Sequence, residues 1–135
     1  MTKLFISYTS NDQKYVEALK EALKTSFEAL KIVGEWEPVE TSSQKVIHHS
    51  IQGRLEAADA MVVLLSPQAL ASSGVMFEIG AAQALGKKIV PIILPDTDPD
   101  QLDFIDRDRA VLDARTLSLS ETAKRLEALV TASAT

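Results

Sequence analysis

The sequence predicts an open α/β domain built on a parallel sheet, and three observations predict it. Strand-length apolar runs alternate with stretches of helical periodicity five times along 135 residues. Ala60-Met-Val-Val-Leu-Leu65 is apolar at every position, as a central strand covered on both faces must be. The first and third of these runs stop at residues that turn the chain or cap a helix, Thr9-Ser10-Asn11-Asp12 and Ser66-Pro67, as strand-to-helix loops require.

The elements follow in order. Lys3-Leu-Phe-Ile-Ser-Tyr8 is a short apolar and aromatic strand. From Asp12 onward Tyr15, Val16, Leu19, Leu23, Phe27 and Leu30 recur at spacings of three and four, with Glu17, Lys20, Glu21 and Lys24 opposite, which predicts an amphipathic helix. Residues 32–39 read as the helix exit and a second strand at or near an edge, because Pro38 cannot donate to a ladder. Glu40 to Gln44 is a polar loop. Lys45 to Ala58 suits a second helix through Val46, Ile47, Ile51, Leu55 and Ala58. After the central strand, Pro67 fits the first position of a short helix to about Ala71. Phe77, Ala81, Ala84 and Leu85 then mark a helix that Gly86 stops, and Lys88 to Leu94 is a buried-strand run. Pro95 to Asp100 is a turn-rich loop, Ala110 to Asp113 a short strand, and Ser118 to Val130 a closing helix with Ser120 as its cap.

With right-handed crossovers, these elements predict a flavodoxin-like three-layer sandwich around a five-stranded parallel sheet of order 2-1-3-4-5. Composition fits a single domain over residues 1–135: 46% hydrophobic, 24% charged, with no internal repeat. With no cysteine, neither a disulfide framework nor a thiolate metal site is available, and a cytoplasmic location is expected. A net charge of -5 with interspersed lysines and glutamates argues against a broad nucleic-acid or anionic-membrane surface. No segment approaches the ~18 apolar residues of a membrane span.

In such a sheet, ligands bind beyond the carboxyl ends of the strands at the switch point, here between the first and third strands. The loops of Ser7 to Asp12, Glu40 to Gln44 and Ser66 to Ser73 meet there. Behind the last stands Glu78, the single carboxylate in Ser72-Ser-Gly-Val-Met-Phe-Glu-Ile-Gly-Ala-Ala-Gln-Ala-Leu-Gly-Lys-Lys-Ile-Val-Pro-Ile-Ile-Leu94. Small neighbours allow tight packing, so the carboxylate should be partly shielded from water; a blander role is to stabilise the helix N-terminus. Neither a phosphate-cradling GxxxxGK[ST] loop nor GxGxxG follows the first strand. His48 and His49 are adjacent, diverge by roughly 100° on a helix, and read as a solvated face rather than metal ligands. Trp36 either packs on the core or offers a stacking platform. Lys87 and Lys88 read as partners of a helix C-terminus. No serine has nucleophile-elbow context.

Phe5-Ile-Ser-Tyr-Thr-Ser-Asn-Asp12, the strand at 60–66 and the 72–94 block together resemble the Toll/interleukin receptor-like (TIR) domain family, especially its prokaryotic members, over nearly the whole chain. The resemblance implies an NAD+ nucleosidase of bacterial defence or signalling, activated by self-assembly, that releases nicotinamide and gives ADP-ribose or a cyclised product. Glu78 would be the catalytic residue. Ser7, Tyr8, Thr9, Ser10, Trp36, Thr41, Ser43, Ser73, Gly74 and Phe77 would shape the substrate pocket. NAD+ would be the substrate with no further cofactor, and other copies of the domain and further defence-system domains the partners. Other family members are inactive assembly modules. This chain carries Gly74 where many active members have a tryptophan four residues before the glutamate, and its loop after the second strand lacks a glycine often found there. The 72–87 stretch also looks like the nucleoside deoxyribosyltransferases, which use a glutamate nucleophile, although they usually have an aspartate where Ser72 stands.

Overall fold

The computed structural model describes residues 2–26, 30–36, 55–98, 100 and 111–132, with the backbone alone for 2, 10, 24–26, 30–36 and 131–132. Strand β1 (Thr2–Ser7) leads through a 3-10 turn at Ser10–Asp12 into helix α1 (Gln13–Ser26), then β2 (Leu30–Trp36). Strand β3 (Ala60–Leu65) is followed by α2 (Pro67–Leu70), α3 (Ser73–Ala84), β4 (Lys88–Ile93), β5 (Leu112–Asp113) and α4 (Leu119–Ala132).

The strands form one sheet in the order β2-β1-β3-β4-β5, and every neighbouring pair is parallel. This is the order expected from the alternation of elements, with β2 at an edge. The β1 and β2 ladder slips once, because Leu4 pairs with Ile32 while Phe5 pairs with Gly34.

Strand alternation divides the interior in two. Leu4, Ile6, Val62, Leu64 and Val90 pack with Val16 and Leu19 of α1 and Leu126 of α4. Phe5, Met61, Val63 and Leu65 pack on the opposite face with Val75, Ile79 and Ala82 of α3. All six residues of β3 are buried, which explains its unbroken apolar sequence.

Local chemistry sets the boundaries. The Ser66 hydroxyl caps α2 by accepting from Ala69 N–H at 3.1 Å, with Pro67 in the first turn where its missing N–H costs nothing. Ser72 caps α3 through Val75 N–H at 3.2 Å. At the far end of α3, Gly86 takes φ 68°, and the amides of Gly86 and Lys87 return to the carbonyls of Gln83 and Ala82. That Schellman closure needs a left-handed residue, which glycine supplies without strain. The Lys87 ammonium donates to the Glu56 carbonyl at 3.1 Å, and Lys88 to the Leu129 carbonyl at 2.7 Å in the last turn of α4. The lysines thus serve helix ends, as read from sequence.

Four expectations are corrected. Leu30 opens β2 rather than extending α1, because pairing with Thr2 of β1 claims its backbone. The cap of α4 is Ser118, which accepts from Glu121 N–H at 3.1 Å, not Ser120. The buried stripe of α3 is Val75, Glu78, Ile79 and Ala82, whereas Phe77 and Ala84 are exposed. The apolar pattern missed that stripe because one of its members is charged. Of the strand expected over Ala110 to Asp113, Ala110 lies outside the described residues, Val111 is outside the ladder, and Leu112–Asp113 pair with β4. Of the helix expected over Lys45 to Ala58, only 55–57 lie within the described residues, and these are helical.

Candidate functional site

Ser7 is the last residue of β1 and lies two positions after Phe5, so it faces the same side of the sheet as α3. Glu78 is one helical turn from Val75 on the buried face of α3. The two meet beyond the carboxyl end of β1, where the Ser7 hydroxyl donates to Glu78 Oε1. Both residues are fully buried, at 0% exposure. The second carboxyl oxygen, Oε2, makes no hydrogen bond among the described residues.

Such a group cannot readily carry charge. Desolvation pushes the Glu78 carboxyl up to about 8, while the Ser7 hydrogen bond pulls the other way. At neutral pH the carboxyl is therefore mostly protonated. It can give up or recover that proton in response to a charge brought nearby. The partial shielding anticipated from sequence is in fact complete burial, because Glu78 occupies a core position of α3.

A second carboxylate stands on the other face of the sheet. Asp12, at the end of the 3-10 turn, accepts from the Ser66 hydroxyl at 2.6 Å and from the Thr9 hydroxyl at 3.2 Å through the same oxygen. Its backbone N–H also closes on the Thr9 carbonyl at 2.9 Å. This arrangement ties the loop after β1 to the loop after β3. A cleft of ≈ 340 Å³ opens beside it, between the start of α1, the Ser66 loop and the turn after β4, and Glu78 does not line it.

The residues anticipated around the site separate into groups. Ser7 is brought onto Glu78, and Thr9 onto Asp12. Tyr8 is 7% exposed and packs in the α1 core. The backbone of Ser10 begins the 3-10 turn. Trp36 is the register partner of Ser7 across β1 and β2, which places its backbone at the carboxyl edge of the sheet; its side chain lies outside the described residues. Thr41, Ser43, His48 and His49 also lie outside them. Ser73 is exposed in the first turn of α3, Gly74 is half-buried beside it, and Phe77 is 38% exposed. Sequence reading missed the link between Asp12 and Ser66; the signal was a serine immediately before proline at a strand end, opposite an aspartate one loop away in the sheet. Among the described residues no group of three side chains could hold a metal, and no helix is long and apolar enough to cross a membrane.

Comparison with known families bears on the fold that carries this site, a parallel sheet of order β2-β1-β3-β4-β5. The profile of the TIR domain matches residues 4–130. The chain belongs to the TIR domain family. Among solved structures, this TIR domain is similar to the Clostridium botulinum CMP N-glycosidase BcmB, with a TM-score of 0.62 and 16% identity over 93% of this chain and 99% of that one. It is also similar to a prokaryotic SEFIR domain, with a TM-score of 0.60 and 15% identity over 96% and 99% of the two chains. At these identities the likeness is one of fold. No curated protein matches.

Proposed function

We propose that this TIR domain cleaves the N-glycosidic bond between nicotinamide and ribose in NAD+, with Glu78 as the catalytic group. The observation that carries the proposal is the state of Glu78: buried, fixed through one oxygen by Ser7, and without a hydrogen bond at the other among the described residues. A purely structural carboxylate would be satisfied at both oxygens or turned to water.

In the reaction the bond from C1′ to the pyridinium nitrogen breaks and its electron pair leaves with nicotinamide, which departs neutral and needs no proton. The ribosyl group becomes oxocarbenium-like. It is then captured by water, which loses a proton to give ADP-ribose, or by a nitrogen of the adenine ring to give a cyclic product. What the protein must supply is negative charge beside the developing cation. Glu78 is mostly neutral while buried, but a cationic nicotinamide ring brought against it favours the ionised form. Substrate charge thereby switches on the group that stabilises the transition state. Because Glu78 is fully buried, substrate reaches Oε2 only when the surrounding side chains part. Assembly with other copies of the domain, within a larger cytoplasmic defence or signalling system, supplies that opening in this reading.

A second reading has its own observation in favour. A carboxyl held protonated up to about pH 8 can donate a proton to a leaving base, which a CMP N-glycosidase such as BcmB must do to release cytosine. The deoxyribosyltransferase alternative is weaker, since those enzymes usually present an aspartate where Ser72 stands, and a serine hydroxyl is a poor proton donor to a leaving base. If the domain is a non-catalytic assembly module, Glu78 is simply part of the core.

The test is nicotinamide release from NAD+ at high protein concentration, with cytosine release from CMP and base exchange on deoxynucleosides measured in parallel. Glu78→Gln should lower release by about 10²-fold or more, the scale of losing one transition-state electrostatic contact. Equal release by both proteins excludes Glu78 as the catalytic group. Loss of folding in Glu78→Gln favours the assembly module.

A further inference from the structure

We propose that the ≈ 340 Å³ cleft on the α1 face of the sheet is a nucleoside-binding site, separate from Glu78. Its volume is at the lower end of the range of small-ligand pockets, about 300–1,000 Å³. It lies beyond the carboxyl ends of β3 and β4, against the loop that follows β1, where open α/β sheets bind ligands.

The lining offers one partner for each part of a nucleoside. Leu94 and Pro95 provide an apolar wall, and Tyr15 a third surface, its hydroxyl already engaged by Thr122. Asn11 and Gln68 are exposed amides at the rim, the side chains whose paired donor and acceptor match the edge of a base such as adenine. Asp96 presents an exposed carboxylate, which can accept from both hydroxyls of a ribose. Among the described residues of the lining Lys14 is the one cation, and it is the place for a 5′-phosphate. One ammonium against two carboxylates, Asp12 and Asp96, makes the cleft unsuited to a free anion.

The rim is also built in advance. Thr97 N–H donates to the Leu94 carbonyl at 3.3 Å, closing a turn with Pro95 and Asp96 at its centre. Asp96 takes φ 71° there, a left-handed conformation that a non-glycine residue adopts at a cost. The Thr97 hydroxyl pins the turn by donating to the Leu65 carbonyl at 2.9 Å. On the opposite wall, Asp12 is locked by Ser66 and Thr9. A left-handed residue whose exposed carboxylate stands in the lining of the cleft is a ligand-facing arrangement, because the packing of the described residues makes no use of that carboxylate.

The ligand has two sources: the second nucleoside of a dinucleotide substrate, or a separate nucleotide effector. Ser7, which holds Glu78, and Thr9, which holds Asp12, are two residues apart, at most about 7 Å along the chain, so one dinucleotide can span both faces. The binding claim stands apart from the role given to Glu78; only the kinetic arm of the test rests on it.

The intact chain is titrated with adenosine, AMP and inorganic phosphate while the amide resonances of Lys14, Gln68 and Asp96 are followed. Adenosine and AMP should shift all three, and phosphate should not. The variant Gln68→Leu/Asp96→Gly should bind AMP at least tenfold more weakly. Gln68 is exposed and glycine accepts the turn at position 96, so its remaining resonances should stay in place, and they report folding directly. Absence of adenosine and AMP shifts in the wild type, equal affinity in the folded variant, or a phosphate response as large as that to AMP overturns the proposal. In the kinetic arm, a KM that rises for NAD+ but not for nicotinamide mononucleotide assigns the cleft to the dinucleotide. KM values unchanged for both, with AMP binding lost, assign it to an effector. If neither substrate is cleaved, the function proposed for Glu78 fails while the binding result still decides the cleft.

Discussion

Two serine and carboxylate pairs stand at the carboxyl edge of this sheet, one on each face. Asp12 receives two hydroxyl donors, from Ser66 and Thr9, and closes a loop junction. Among the described residues Glu78 receives one, from Ser7, and Oε2 makes no hydrogen bond at 0% exposure. The same two chemical groups thus give a stabilising clamp in one place and a group held far from its ordinary ionisation in the other. What separates them is the number of donors and access to water, since burial penalises charge wherever hydrogen bonds do not compensate it.

The largest consequence is in the pH dependence of stability. Glu78 titrates near 4.5 when unfolded and about 8 when folded, so between those values the folded state holds the extra proton. Stability contributed by the neutral form is complete below pH 4.5 and is lost as pH rises through about 8, amounting to a few kcal/mol. Denaturant unfolding at pH 5 to 9 should show this decline, and Glu78→Gln should remove its Glu78 component. An undiminished decline in that variant would place the titrating group elsewhere.

Asp12 predicts a smaller effect of a different kind. Asp12→Ala strands the Ser66 and Thr9 hydroxyls and should cost about 2–3 kcal/mol of unfolding free energy. If Asp12→Ala unfolds at the wild-type denaturant midpoint, the clamp does not stabilise the fold.

Much of this architecture was legible in the chain. The central strand announced itself by six consecutive apolar residues, Pro67 and Gly86 marked the start of α2 and the end of α3, and alternation pointed to a parallel sheet, whose strand order is the flavodoxin-like one expected. The buried face of α3 was not legible, because a core position filled by Glu78 breaks the apolar period on which such readings depend. Glu78 itself could be singled out, but its bond to Ser7 joins residues 71 apart and exists only once β1 lies beside β3. The cleft was invisible for the same reason, since its walls come from three separate strand ends.

The smallest effect sharpens the contrast further. Ser7→Ala removes the donor to Oε1, which should lower stability by about 1 kcal/mol and move the Glu78 titration above 8, because that hydrogen bond is what opposes desolvation. A shift toward lower pH in Ser7→Ala would mean that Ser7 favours the protonated form instead.

The most direct measurement is the carbon-detected titration of the Glu78 side-chain carboxyl in the folded wild-type protein, with assignment confirmed by loss of the signal in Glu78→Gln. The account predicts a midpoint about 8. A midpoint in the ordinary carboxylate range, near 4.5, would contradict it.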